Sequence, residues 1–202
     1  MRRTKEDALV TREQILDSSL QIFIKKGYSQ TSLEDIVNKL GLTRGAFYWH
    51  FKDKDDLLNK LIVREHTFIA DLVAKAVVDG ITEKDKLEQL MINLVESFYE
   101  SKRYRDYVYF VRFSVEFNTA SGYFKRLSGL NEFIIKEVEK ILSAAKVKGE
   151  VPSHIDPVAT AVYIVSMLDG MFRLRFAVKY LDSKENSKKL VTDYIKVLFK
   201  EK

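Results

Sequence analysis

The stretch Leu42-Thr43-Arg44-Gly45-Ala46-Phe47-Tyr48-Trp49-His50-Phe51-Lys52-Asp53-Lys54-Asp55-Asp56-Leu57 decides how this 202-residue chain is read. Thr43 can cap a helix only two residues past Gly41, and that helix carries Phe47 and Phe51 on one face, four positions apart. Just upstream, Thr31-Ser32 precede Leu33, Ile36, Val37 and Leu40, a run that stops at Gly41 and predicts a helix of about two turns. Two short helices joined by a tight glycine-containing turn are what a helix-turn-helix motif needs, here over about residues 32–51.

Working outward, Ile15, Leu16, Leu20, Phe23 and Ile24 share one helix face, with Thr11 placed to cap it and Gly27 to end it. Downstream, apolar pairs at Leu57-Leu58, Leu61-Ile62, Phe68-Ile69, Leu72-Val73 and Ala76-Val77 predict a connecting helix of roughly 35 Å, closed at Asp79-Gly80. Helical faces continue through Leu87, Leu90, Met91, Leu94, Val95 and Phe98, then Leu127, Ile134, Ile135, Val138, Ile141, Leu142 and Ala145, then Leu190, Val191, Tyr194, Ile195 and Leu198. Only 8 Gly and 2 Pro are present, too few for the turns of a sheet-rich fold. The expectation is an all-α chain of about nine helices, with a three-helix DNA-binding domain over residues 9–69 and a helical domain over 70–202.

Composition excludes several classes. Without cysteine there is no disulfide framework, thiolate zinc site or thiol nucleophile, which suits a cytoplasmic protein. The basic N-terminus has no apolar stretch behind it and does not read as a secretory signal. The apolar run Val158 to Leu168 is shorter than the ~20 residues of a bilayer span, so no membrane partner is expected. His50, His66 and His154 fall in no spacing that assembles a nucleophile, a base and an orienting group, so no enzyme, metal or cofactor is expected. The net charge of +5 is spread evenly, with 11 basic and 9 acidic residues in the first 60, so bulk charge does not argue for nucleic acid.

Particular positions, not bulk charge, point to DNA. A recognition helix presents small or polar residues where its N-terminal end approaches base edges, which Thr43, Arg44, Gly45 and Ala46 supply. Arg44 suits bidentate reading of guanine, and Gly45, costly in a helix, suits close approach to DNA. Tyr48, Trp49 and His50 fall on successive sides of the helix, facing DNA or packing between helices; Trp49 outward would read a base or a thymine methyl. Lys52, Lys54 and the amides opening the next helix suit phosphates, while Asp53, Asp55 and Asp56 suit that helix's positive end. Thr11, Arg12, Thr31 and Ser32 are read as capping the first two helices, with phosphate contact as a second role.

The quoted stretch, together with TREQILDSSLQIFIKKGYSQTSLEDIV before it, resembles the TetR family of one-component bacterial regulators, and among them the AcrR-type multidrug-efflux repressors. The resemblance covers about residues 9–69, with Ser19 and Val37 standing where Ala is usual. It implies phosphate contacts for Tyr48 and His50, a palindromic double-stranded operator, a homodimer, a small-molecule effector and a divergent C-terminal domain holding cavity and dimer interface. The implied function is a repressor released by a small hydrophobic or aromatic molecule. A sensor of acyl chains or another metabolite, an activator, and a non-regulatory nucleic-acid binder stand as alternatives.

In the C-terminal half, eight of the 24 aromatic residues fall between positions 98 and 117. Phe98, Tyr107, Phe110, Phe113 and Phe117 are the candidates for a ligand cavity, and a plain core stripe is the competing reading. The segment 158–179 is apolar nearly all round, with Ala159, Ala161, Ser166 and Gly170 allowing close approach of another helix. Together with the amphipathic 187–200 it is the expected dimer interface; a buried monomer core is the alternative.

Overall fold

A computed structural model of the chain describes residues 5–111 and 122–199, and of 122–128 the backbone alone. Among the described residues all regular structure is helical. The nine α-helices are α1 (Lys5–Lys26), α2 (Leu33–Leu40), α3 (Arg44–His50), α4 (Lys54–Ala76), α5 (Glu83–Glu100), α6 (Lys102–Tyr109), α7 (Gly122–Val147), α8 (Pro157–Leu174) and α9 (Lys184–Leu198). A 3-10 turn, Lys179–Asp182, precedes α9.

The chain divides into two compact units, the first made of Met1–Thr67 and Lys102–Leu127, the second of Phe68–Ser101 and Ser128–Lys202. The boundary at Thr67/Phe68 falls inside α4, which contributes to both. Residues 102–111, expected in the C-terminal domain, group with the first unit, where α6 packs against α1. Gln21 Nε2 donates to Asp106 Oδ2 at 2.6 Å, and the Phe23 and Phe110 rings lie 5.6 Å apart.

Helix α1 begins at Lys5, so Thr11 is not its cap. The residues Lys5 to Val10 continue the helix, with Glu6 and Asp7 at its positive end, and the buried Thr11 hydroxyl donates to the Asp7 carbonyl at 2.9 Å. Ser32 does cap α2, in a capping box with Asp35, and Gly41 closes that helix in the left-handed region at φ 63°. Lys26 and the Ser32 amide and hydroxyl hold the Asp35 carboxyl down to about 2, so this cap stays ionised. Thr31 is no cap either; it is buried, and its hydroxyl donates to the Gly27 carbonyl at 2.7 Å.

The second unit is tied together by α5 and α9. The Phe98 ring stacks on Phe172 of α8 at 3.9 Å, and the Tyr99 hydroxyl reaches both the Leu181 carbonyl and Ser187 Oγ. Lys188 and Lys184 of α9 pair with Glu96 and Glu100 of α5, each at 2.6 Å. Helix α8 is not buried all round within the chain. Ala161, Ile164, Val165, Leu168, Met171 and Phe172 face inward, whereas Val158, Val162, Tyr163 and Leu174 are exposed. Ala161 therefore belongs to the inner face, unlike Ala159, Ser166 and the partly open Gly170. By length and composition α8 also passes for a membrane span, but its buried positions recur every three to four residues, as a helix with one packed face requires.

Candidate nucleic-acid interface

The seven residues of α3 are too few to hold a helix by themselves in water. Three local devices hold it. The left-handed Gly41 turns the chain after α2, Thr43 Oγ1 accepts from the Ala46 amide at 3.1 Å, and Phe47 and Phe51 are buried beneath it, their rings 5.5 Å apart. With the two phenylalanines inward, the helical twist turns Tyr48 and Trp49 outward, 56% and 72% exposed. His50 is half-buried and meets the Trp49 indole edge to face at 4.7 Å. The side chain of Arg44 is 65% exposed. The surface of α3 thus combines a cation, two aromatic rings and, at Gly45, bare backbone.

Among the described residues nothing requires glycine at position 45: a Cβ there would meet only Thr43 Oγ1, at 3.9 Å, and the residue lies in ordinary helical conformation.

The flanking positions divide. Lys52 is exposed, its amide donating to Asp56 Oδ2 at 3.1 Å. Asp53 accepts from the Asp56 amide at 2.7 Å and caps α4. Lys54, read from sequence as a phosphate contact, is drawn inward instead: Nζ donates to the Tyr28 and Thr31 carbonyls at 2.9 and 2.8 Å and lies 4.5 Å from the Tyr28 ring centroid. Partial burial lowers its pKa. The lysine satisfies carbonyls in the link between α1 and α2, so its place is in the framework of the head. Arg12 is also engaged internally, paired with Glu13 at 3.1 Å and lying 5.6 Å from the Phe51 ring. The hydroxyls of Thr11 and Thr31 are turned to carbonyls inside the head, leaving Ser32 exposed among the expected caps.

The described aromatic candidates for a ligand cavity are divided between the two units. Phe98 belongs to the second unit, stacked on Phe172; Tyr107 and Phe110 belong to the first, and all three are buried. Phe113 and Phe117 lie outside the described residues.

Sequence reasoning missed two charged groups. Glu34 of α2 pairs with Arg44 of α3. Glu65 of α4, fully buried, accepts from Arg64 Nε at 2.9 Å and from Arg103 of α6 at 3.1 Å. Neither has a periodic signal, because each pair joins helices whose mutual placement no local spacing reports.

Residues 15–61 match the family model described as bacterial regulatory proteins, tetR family. The chain is 39% identical over 108 residues to the HTH-type transcriptional regulator AcrR of Shigella flexneri, an alignment spanning 52% of this chain and 49%, about half, of that protein. It is 29% identical over 177 residues to the probable acrEF/envCD operon repressor of Escherichia coli K12, covering 85% of this chain and 76% of the other. Among solved structures, a SmeT–triclosan complex superposes with a TM-score of 0.75 at 24% identity, over 95% of this chain and 92% of that one. At that identity the likeness speaks for the fold.

Proposed function

The chain belongs to the TetR family of bacterial regulatory proteins, and from that premise we propose that it is a transcriptional repressor that reads a palindromic operator as a homodimer and is released by a small hydrophobic or aromatic molecule. The observation that carries this reading is the surface of α3, where Arg44, Tyr48 and Trp49 stand exposed over a buried Phe47 and Phe51. Those are a guanine-reading cation and two ring faces on a rigid base, suited to the major groove. Ser32, Thr43, Ala46, His50 and Lys52 surround them and serve the base edge or the phosphates, while Lys54, Thr11, Thr31 and Arg12 act from within by holding the head in shape.

The exposed apolar face of α8, with α9, supplies the second copy's contact, which sets two recognition helices on half-sites about 34–36 Å apart. Helix α4 runs from one unit into the other, so a ligand held in the second unit changes operator affinity to the extent that it prefers one placement of that helix. The relatives' names support repression, and SmeT, which shares this fold, is complexed with triclosan, a small aromatic molecule of the class proposed. A cytoplasmic site of action follows from this role, which is binding rather than catalysis.

Selection from random duplex DNA tests the reading. A palindromic preference is expected, and Arg44→Ala should lower affinity for the selected duplex about 5- to 150-fold, the worth of one bidentate guanine contact. Uniform, salt-dependent affinity for all sequences would instead show a non-specific binder. Induction fails if every compound that binds, triclosan included, leaves operator affinity unchanged at saturation.

A second result separates DNA contact from folding at Gly45. Because a Cβ there is sterically free among the described residues, Gly45→Ala should stabilise the head by about 0.5–1 kcal/mol in urea unfolding. The same variant should bind the selected duplex more weakly, since the methyl group meets DNA. Unchanged duplex affinity would remove close approach as the reason for this glycine.

A further inference from the structure

The guanidinium of Arg44 is already engaged in the free protein, paired with the carboxylate of Glu34, the second residue of α2. Both side chains are well exposed, 65% and 47%. Pairs this exposed add little to folding stability. Nor is Glu34 needed to start α2, because Ser32 and Asp35 form the capping box without it. What the pair does set is where the guanidinium stands, and beside what charge, when DNA arrives.

We propose that Glu34 is a specificity-determining residue, which reserves Arg44 for a neutral base edge and against the anionic phosphate backbone. The inference rests on the reading of α3 as the DNA-reading helix. A guanidinium has five N–H donors in a planar fork. Donors used on the Glu34 carboxylate leave others for O6 and N7 of guanine, which are uncharged acceptors and can sit beside a carboxylate. A phosphate bound by the same guanidinium brings a negative charge up against Glu34. The carboxylate therefore opposes the contact every sequence offers and tolerates the contact one base offers, so discrimination comes from a repulsive element.

The test uses the full chain as wild type, Glu34→Gln, Arg44→Ala and the double variant. Each is titrated with the tightest duplex from the selection, the same duplex carrying 7-deazaguanine at each guanine in turn, and a scrambled duplex of equal length. Glu34→Gln should raise affinity for the scrambled duplex about three- to tenfold and steepen its salt slope by up to about 0.9, as one uncompensated cation added at the phosphates would. Affinity for the selected duplex should change less than about threefold, so the specificity ratio falls. Loss of guanine N7 should cost the wild type about 5- to 150-fold at the position Arg44 reads, and cost Glu34→Gln less.

In the Arg44→Ala background the fall in ratio should vanish. An unchanged ratio in Glu34→Gln overturns the proposal. So does an equal fall without Arg44, which would make Glu34 a plain acidic surface repelling phosphates. If Arg44→Ala keeps full discrimination at every guanine, the base-reading role of Arg44 fails first, and the role of Glu34 with it. Both substituted side chains are exposed, and thermal melting followed by circular dichroism should show each variant folded as the wild type.

Discussion

Phe47→Ala should lower the stability of the first unit by about 3–5 kcal/mol and abolish sequence-specific DNA binding, although Phe47 itself is out of reach of any ligand. Its ring is wholly buried, 5.8 Å from Tyr48 edge to face and 5.5 Å from Phe51, which in turn lies under the Arg12 guanidinium. A helix of seven residues takes its conformation from what it rests on, so a cavity beneath α3 removes the surface above it as well. Trp49 is the chain's one tryptophan and lies on this helix, so its fluorescence during urea unfolding reports the head. Trp49→Ala is the contrast: at 72% exposure its stability, followed by circular dichroism, should stay within about 0.5 kcal/mol of wild type while duplex affinity falls. A Phe47→Ala protein that unfolds within about 1 kcal/mol of wild type would mean that α3 is not held from beneath.

How far the sequence could be read follows the range of the interactions involved. Helix α2 and its turn are written locally, in Ser32, Asp35 and Gly41, each of which acts within a few residues of itself. Phe47 and Phe51 likewise declare an inner face by spacing alone. Thr11 misled because a threonine before an apolar run resembles a cap, yet Lys5, Glu6, Ala8 and Leu9 before it are good helix formers and α1 extends back to Lys5. Lys54 misled for a different reason. Its spacing from the motif suits a phosphate contact, but its partners are carbonyls 23 and 26 residues earlier, which no local pattern names. The aromatic run from 98 onward is the extreme case. It reads as one set, but the unit boundary between Ser101 and Lys102 sends Phe98 to Phe172 and Phe110 to Phe23, and that partition is a tertiary fact.

The same boundary makes α6 the place where the chain re-enters the first unit, and there Arg103→Met should destabilise the head by about 2–3 kcal/mol at neutral pH, with a penalty that shrinks on acidification. Glu65 is fully buried; one oxygen accepts from Arg64 and Arg103, and the other has no hydrogen-bond partner among the described residues. Arg64 is shared with Glu13 at 2.8 Å and Asp17 at 2.9 Å on α1, so Arg103 is the partner that binds this carboxylate to α6. Removing one member of a buried pair costs about 3–5 kcal/mol, and water can replace part of Arg103, which is 31% exposed, hence the lower figure.

Burial pushes the Glu65 carboxyl up, against the pull of Arg103 and Arg64. The folded state therefore holds this proton more tightly than the unfolded one, and the group's contribution is present below the unfolded pKa and lost as pH rises through the raised folded value. Without Arg103 that value rises further and the loss reaches toward neutrality. The gap between variant and wild type should accordingly widen from about pH 5 to 8 in urea unfolding read at Trp49, and Glu65→Gln should flatten it in either background. A loss equal at every pH would show that the arginine's stem packs α6 in place and that the charge of Glu65 is incidental.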